Sequence, residues 1–139
     1  MPNITPELRA SLENAPYPNL LGCRLLELAE GYAKTAVTIR PEHANFLGAT
    51  DGCLAMSLAD YAFASAVNTL GQTRIAVQFN INYVATAPSK GELMAEARTV
   101  SAGKTIAVME ISVTDATGGI IAKATGTAIT RPNQNSTTK

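Results

Sequence analysis

The sequence predicts an α+β fold in which one long apolar helix is wrapped by a curved antiparallel sheet. Between His43 and Leu70, a polar loop leads into an apolar pattern with the spacing of a helix. After Gly71 apolar and polar side chains alternate for most of the remaining chain, which is typical of strands. The predicted order is therefore a short helix, two strands, the long helix and four strands. A single sheet curled around one helix satisfies this order.

The predicted long helix begins at about Asp51 and is apolar on nearly all sides. Leu54, Leu58 and Leu70 recur on one face, and most other positions are alanine or another small residue. Such a helix is expected to be enclosed by the rest of the domain. Apart from Asp51, where the helix begins, Asp60 is the single carboxylate of this helix. A buried acid is costly unless it is paired, hydrogen-bonded or used in chemistry, so Asp60 is the first candidate site residue.

Length and charge limit the classes of protein to consider. The 139 residues suit one domain with its own core, which we place at residues 1–131. With 11 basic and 11 acidic residues and no basic run, neither nucleic acid nor an anionic membrane is expected as a partner. A surface of low net charge favours self-association, so a homo-oligomer is expected.

Cysteine and histidine usage argues against a metal site. Cys23 and Cys53 have no metal-ligand spacing, and His43 is the single histidine. We therefore expect no metal, no disulfide scaffold and a reducing compartment. The sequence has no apolar run of roughly 18 residues and no signal-peptide pattern, so a cytoplasmic protein is expected.

The N-terminal segment predicts a short helix over residues 5–15. Thr5 is a capping hydroxyl, Pro6 suits the first helical position, and Glu7 suits the first turn. Pro16-Tyr17-Pro18 is expected to end this helix. At the other end of the chain, residues 132–139 are polar and are expected to form a disordered tail.

Six segments have the character of strands. In the first strand after the long helix, Ile75, Val77 and Phe79 are expected on one face, with Ile81 and Tyr83. Small and polar residues at 101–103 and 116–119 predict hairpin turns. The predicted strands cover residues 22–29, 31–39, 75–84, 92–100, 105–115 and 120–130.

Three stretches carry a resemblance to a known family. The segment R-P-E-H-A-N-F-L-G-A-T-D-G-C-L-A-M-S-L-A-D, then N-I-N-Y-V-A-T-A-P and A-K-A-T-G-T, resembles the hotdog-fold thioesterases, in particular the phenylacetate-pathway (PaaI-like) acyl-CoA thioesterase branch. The resemblance runs from about Gly22 to Thr130. It implies a hotdog fold and a dimer or homotetramer. It also implies hydrolysis of an acyl-CoA or aryl-CoA thioester without a cofactor, the CoA being part of the substrate.

The resemblance also implies roles for individual residues. The family pattern is Asn or Gln, then His-Gly-Gly at the helix start, then an acid within the helix. Asn45 and Asp60 occupy the first and last of these positions. By resemblance, Asp60 is the catalytic carboxylate, the Gly52 N–H is the oxyanion donor, and Asn45 orients the water or the carbonyl. In the family, Asp60 of one subunit faces the Gly52 end of the other.

The helix start departs from the family, with Asp51-Gly52-Cys53 in place of His-Gly-Gly. Asp51 is interpreted as a helix N-cap that accepts from the N–H of Cys53 or Leu54. The alternative is a second acid beside the thioester. An ionised carboxylate ~5 Å from an oxyanion would cost on the order of 3 kcal/mol at an effective dielectric of 20. That is comparable to losing one oxyanion donor, about 2.7–4 kcal/mol.

Two further features have competing interpretations. Cys53 is either a small buried residue or a thiolate nucleophile, for which His43 is the available base. Gly103-Lys104-Thr105 is similar to the end of a phosphate loop, but its place between two strands favours a hairpin turn. Lys104 or Arg98 could still bind a CoA phosphate at the surface.

Two other classes of function remain as alternatives to hydrolysis. A hotdog protein that binds acyl-CoA without turnover, as a sensor or scaffold, is favoured by the charge of Asp51. A hotdog hydratase would need a histidine near the helix acid, and no histidine follows His43.

Overall fold

The computed structural model describes residues 3–132, so the predicted tail lies almost entirely outside the described residues. The elements, in chain order, are α1 (Pro6–Glu13), α2 (Pro16–Leu21), β1 (Cys23–Ala29), β2 (Tyr32–Thr38), a 3-10 turn (Pro41–His43), α3 (Gly52–Val67), β3 (Arg74–Tyr83), β4 (Glu92–Ala102), β5 (Ile106–Asp115) and β6 (Ile120–Thr130). Within residues 3–132, no helix is long and apolar enough to cross a membrane.

The six strands form one antiparallel sheet in the order β1-β2-β4-β5-β6-β3. The long helix α3 packs on the inner face of this sheet, mainly against β2, β4 and β5. The prediction of one helix wrapped by a curved antiparallel sheet is confirmed. β1 and β3 are the two edge strands, and α1 and α2 lie against β1.

The core lies between α3 and the inner face of the sheet. Phe63 is fully buried on α3 and packs against Phe79 of β3, with 5.8 Å between the ring centroids and 50° between the ring planes. A Cβ at Gly126 would lie 2.7 Å from the Phe63 ring, so this glycine lets the ring approach the backbone of β6. Alanines at several inward strand positions similarly allow the helix and the sheet to pack closely. The buried alanines on strands are Ala33, Ala36, Ala95, Ala97, Ala107, Ala122, Ala124 and Ala128.

The N-terminal segment corrects one prediction. Helix α1 ends at Glu13, before Pro16-Tyr17-Pro18 as expected but short of the predicted residue 15, and these three residues also form the first turn of a second helix, α2, that was not predicted. Proline is tolerated there because the first N–H groups of a helix have no intrahelical acceptor. Gly22 then ends α2 with a positive φ of 85°, a conformation that glycine adopts without strain.

The prediction that α3 is enclosed on all sides was wrong for one stripe of its surface. The sheet covers the side that carries Leu58 and Phe63, whereas Gly52, Met56 and Asp60 are exposed at intervals of one turn. Because the sheet curves around one side of the helix, this opposite stripe is open to water in the single chain. Asp60 is therefore exposed in the described chain, contrary to the expectation that it is buried.

The alternation predicted for β3 is also corrected. The pairing of β3 with β6 shifts register between Ala76 and Gln78, where a bulge inserts an extra residue. A one-residue bulge exchanges the two faces of a strand, so Ile75 lies outside while Phe79 is partly buried against the core. The buried side chain at the beginning of β3 is that of Arg74.

Candidate active site

A groove of about 510 Å³ runs between the beginning of α3 and the end of β3. It is lined by residues from three segments: the loop before α3, the first turn of α3 and the chain that leaves β3. They include Asn45, Asp51, Gly52, Tyr83, Val84 and Thr86. Three of the predicted site residues, Asn45, Asp51 and Gly52, are thus brought to one groove.

Asn45 organises the loop on one side of this groove. Its side-chain oxygen Oδ1 accepts hydrogen bonds from the N–H groups of Leu47 at 2.9 Å and Ala49 at 3.1 Å. Its own backbone N–H donates to the Ala49 carbonyl at 2.7 Å. These bonds fix the orientation of the amide group. Within residues 3–132 no hydrogen bond uses Asn45 Nδ2, so this donor remains available at the groove.

The first turn of α3 confirms the N-cap interpretation of Asp51. Asp51 has extended backbone angles, and its Oδ1 accepts from the Cys53 N–H at 2.8 Å. The Asp51 carbonyl accepts from the Leu54 N–H at 3.0 Å. The N–H of Gly52 precedes these two donors along the helix and has no acceptor among the described residues. This N–H lies at the positive end of the helix dipole, where a developing negative charge is stabilised.

Tyr83 is a groove residue that the sequence analysis treated only as part of a strand pattern. A Cβ built on Gly52 would lie 3.3 Å from Cε1 and Cζ of Tyr83, and 3.6 Å from its hydroxyl oxygen. The ring therefore packs against the backbone at the beginning of α3. Desolvation raises the pKa of Tyr83, and the charges of Cys53 and Asp51 raise it further. The available signal was its position at the end of β3, within the motif N-I-N-Y-V.

Asp60 lies two turns farther along α3 and does not line the groove. Eight residues of helix separate it from Gly52, a distance of about 12 Å along the axis. Water reaches the carboxylate, but surrounding protein atoms still desolvate it enough to raise its pKa. One chain alone therefore does not bring the carboxylate to the Gly52 N–H.

Cys53 and His43 do not form the pair that a thiolate nucleophile would need. Cys53 is exposed, so its interpretation as a small buried residue was wrong: it lies in the first turn of α3, on a side that the sheet does not cover. The neighbouring Asp51 carboxylate raises the pKa of its thiol. His43 is buried; its Nδ1 accepts from the Arg40 N–H at 3.0 Å, so Nε2 carries the proton and donates to the Leu21 carbonyl at 3.0 Å. This geometry favours a structural role for both side chains.

Lys104 lies at the other end of the domain, beside a second cleft of about 780 Å³. This basic cleft is lined by Gln72, Thr73, Lys104, Thr105, Thr130, Arg131 and Pro132. Buried Arg74 lies beside it and donates from Nη2 to the Gly103 carbonyl at 2.7 Å. The α3 helix, 16 residues or about 24 Å long, separates this end from Gly52. Arg98 is engaged elsewhere, with Glu96 at 2.9 Å.

Comparison with known proteins identifies the family. Residues 52–122, just over half of the chain, match the family described as "Thioesterase superfamily". This chain belongs to the thioesterase superfamily. A relative from Archaeoglobus fulgidus that is named "Putative esterase" is 38% identical over 108 residues, covering 78% of this chain and 70% of the relative. The superfamily and its relatives support a hydrolase activity in general terms.

Solved structures of the superfamily share the architecture. The E. coli PaaI protein from the phenylacetic acid degradation operon is 26% identical, with a TM-score of 0.85 over 90% of this chain and 91% of that one. A hypothetical thioesterase from Streptococcus pneumoniae, solved with coenzyme A, is 22% identical. Its TM-score is 0.75 over 80% of this chain and 87% of that one, a likeness of fold. The predicted hotdog fold and the PaaI-like resemblance are confirmed.

Proposed function

We propose that this protein hydrolyses an acyl-CoA or aryl-CoA thioester in a site shared by two subunits. The observation that carries the proposal is the unpaired N–H of Gly52, which borders a groove at the positive end of α3 in a chain of the thioesterase superfamily. A thioester carbonyl oxygen that accepts from this N–H gains a donor for the charge that develops during attack. The substrate family named in the proposal comes from the resemblance and from the CoA-bound relative.

In the proposed reaction, Asp60 acts as a general base toward water. The carboxylate takes one proton as the water oxygen attacks the thioester carbon, and the carbonyl oxygen becomes the oxyanion held by Gly52. The carbon–sulfur bond then breaks, and the CoA thiolate leaves and takes the proton from Asp60, which returns to its ionised form. The products are a carboxylic acid and the CoA thiol, so no metal or redox step is required. The raised pKa of Asp60 makes it a stronger base than an ordinary aspartate.

The shared site follows from the distance between Gly52 and Asp60 in one chain. β3 is an edge strand, and its Ile75 and Val77 are 46% and 54% exposed. Two chains that pair their β3 strands antiparallel would extend one sheet through both subunits. This pairing would cover the unpaired backbone N–H and C=O groups of the edge strand. The open stripe of α3, with Met56 and Asp60, would then face its symmetry mate. The groove of one subunit would receive Asp60 from the other.

The basic cleft supports CoA as the leaving group. Arg74, Lys104 and Arg131 belong to three segments that meet at this cleft, and none of the described residues that line it is acidic. None of the ion pairs found between residues 3 and 132 includes these three cations. Antiparallel pairing of two β3 strands places the Arg74 end of one beside the Tyr83 end of the other. Lys104 of one subunit is therefore proposed to bind phosphate groups of a thioester held in the other subunit's groove.

The second candidate function is an acyl-CoA-binding protein without turnover. The carboxylate of Asp51 favours it, because a negative charge near the oxyanion would oppose the reaction. The capping bond to Cys53 weakens this objection, since it engages one oxygen of Asp51 away from the Gly52 N–H.

A panel of acyl-CoA and aryl-CoA thioesters with a thiol-trapping reagent tests the proposal. We expect release of CoA by the parent protein and loss of this release in Asp60→Asn. Glu110→Gln, which removes an exposed acid on β5, is the matched control and should retain parental turnover. Binding of CoA is measured in parallel by calorimetry. Binding without turnover on the whole panel would replace the hydrolase proposal with the acyl-CoA-binding one.

A further inference from the structure

The hydroxyl of Tyr83 is an unassigned donor at the groove. Apart from its chain neighbours and the backbone of its own helix, the three heavy atoms nearest to a Cβ position on Gly52 all belong to Tyr83, and its hydroxyl oxygen is one of them. The side chain is 50% exposed, and within residues 3–132 its hydroxyl has no hydrogen-bond partner. The phenol therefore borders the same space as the N–H of Gly52 and is open to a ligand there.

Several other polar groups near Gly52 are engaged within the chain. The backbone N–H of Cys53 donates to the Asp51 carboxylate at 2.8 Å. The hydroxyl of Thr50 donates to the Pro88 carbonyl at 2.6 Å. The side-chain oxygen of Asn45 is held by two backbone N–H groups, which leaves its Nδ2 on the loop side of the groove. On the β3 side, Tyr83 is the donor that packs against Gly52.

We propose that the Tyr83 hydroxyl donates a second hydrogen bond to the thioester carbonyl oxygen, beside the N–H of Gly52. This inference rests on the proposed hydrolase function and deepens it. The proton stays on the phenol throughout: the hydroxyl hydrogen bond strengthens as the carbonyl oxygen gains charge, and it weakens again when the carbon–sulfur bond breaks. Tyr83 thus contributes to the oxyanion site without transferring a proton.

The substitution at the helix start gives this second donor a physical purpose. Asp51 places a carboxylate next to Gly52, so one backbone N–H must stabilise an oxyanion in the field of a nearby negative charge. A phenol dipole directed at the same oxygen offsets part of this repulsion. The same surroundings keep the phenol protonated, because desolvation and the charges of Cys53 and Asp51 raise the pKa of Tyr83. At neutral pH the group is therefore a donor.

The kinetic test compares Tyr83→Phe with the parent on the best acyl-CoA substrate. We expect kcat to fall about tenfold to hundredfold, less than for a fully buried oxyanion donor because Tyr83 is half exposed. KM should rise by no more than about threefold to tenfold, because the neutral carbonyl already accepts this hydrogen bond in the bound substrate, and the larger fall in kcat reports its strengthening in the transition state. The matched control is Tyr32→Phe, which removes a hydroxyl bonded to Glu96 at 2.7 Å outside the groove and should leave kcat unchanged.

A binding test separates a donor from a merely structural tyrosine. Two unreactive CoA analogues are compared: a ketone, which keeps the carbonyl but replaces sulfur by methylene, and an S-alkyl thioether, which lacks the carbonyl. Tyr83→Phe should weaken ketone binding about threefold to tenfold and leave thioether binding unchanged. Equal effects on both analogues, or parental kcat in Tyr83→Phe, would overturn the role of Tyr83.

The analogues also separate this inference from the hydrolase proposal. If the parent binds the ketone but cleaves no thioester, hydrolysis is overturned. A ketone-specific loss in Tyr83→Phe would still support the carbonyl contact in that case. If the parent hydrolyses thioesters and Tyr83→Phe matches it in both tests, hydrolysis stands and the second donor does not. Failure of the parent to bind either analogue would overturn both.

Discussion

The carboxylate of Asp51 accepts the N–H of Cys53 at 2.8 Å and leaves the intervening N–H of Gly52 without an acceptor among the described residues. The cap therefore satisfies one of the first donors of α3 while keeping another for a ligand. In this chain Asp51 therefore stabilises the helix that carries the proposed oxyanion donor.

Asp51→Asn tests whether capping is the role of this carboxylate. Asparagine keeps a capping oxygen and removes the charge, so the free energy of unfolding should change by well under ~1 kcal/mol. Turnover should stay within about threefold of the parent, or rise because repulsion of the oxyanion is relieved. Asp51→Ala, which removes the cap, should cost about 1 kcal/mol of stability by chemical denaturation.

A hundredfold loss of turnover in Asp51→Asn, with the protein folded and its oligomeric state unchanged, would contradict this prediction. Asp51 would then belong to the chemistry as an acid or base. Circular dichroism and light scattering on the same samples provide the necessary controls.

Asp60 leads to a prediction about pH. Desolvation raises the pKa of its carboxyl above the unfolded value of about 3.9, so the folded protein binds this proton more tightly than the unfolded chain. Ionised Asp60 therefore costs stability once the pH exceeds its folded pKa, and this cost disappears below the unfolded pKa. Asp60→Asn should be at least as stable as the parent at neutral pH, and the two should converge in acid. Denaturation at several pH values measures the difference.

The same pKa predicts the acid limb of the reaction. A general base works only when ionised, so kcat/KM should fall as the pH drops through the raised pKa of Asp60. The pH at the midpoint of this acid limb should lie above the ordinary pKa range of an aspartate side chain. An acid limb near 3.9, as for an unperturbed side chain, would count against Asp60 as the base.

Most of the fold could be predicted from the sequence because its signals are local. The apolar run of α3, the hairpin turns and the capping residues depend on neighbours in the chain. The bulge in β3 could not be predicted from alternation, because a register shift depends on the partner strand β6. Pro16 and Pro18 were correctly expected to follow the end of the first helix, but α2 was missed because proline also occurs in the first turn of a helix.

The site was predictable only where it lies on one segment. Asn45, Asp51 and Gly52 are close in sequence, and they line one groove. Tyr83 reaches the same groove through the packing of β3 beside α3, a long-range contact with no signal in residues 45–60. Asp60 was expected inside the domain because its neighbours are apolar. Those neighbours are buried, whereas Asp60 itself lies on the stripe of α3 that the sheet leaves open, and a sequence pattern dominated by apolar residues does not reveal one open stripe.

A mixed-oligomer experiment tests the shared site. Asp60→Asn and Asn45→Ala should each be nearly inactive alone, because each removes one side of every site. In random mixtures half of the dimers are mixed, and each mixed dimer contains one site with neither substitution. Refolding equal amounts of the two variants together should therefore restore roughly a quarter of the parental turnover. No recovery, with subunit exchange confirmed by mass spectrometry, would place the whole site within one chain.

The basic cleft gives the last prediction, which concerns recognition of CoA. Replacing Lys104 and Arg131 together by alanine removes two exposed cations from a cleft without acidic side chains. KM for an acyl-CoA should rise about threefold to tenfold, because exposed charge pairs contribute modestly. The same variant should hydrolyse the acyl-pantetheine thioester, which lacks the nucleotide phosphates, with parental KM.

The matched control is Lys90→Ala, which removes an exposed lysine outside the cleft. Raised salt should weaken acyl-CoA binding in the parent more than in the double variant, since salt screens these charges. Equal KM increases for both substrates would indicate that the substitutions disturb the groove rather than a phosphate contact.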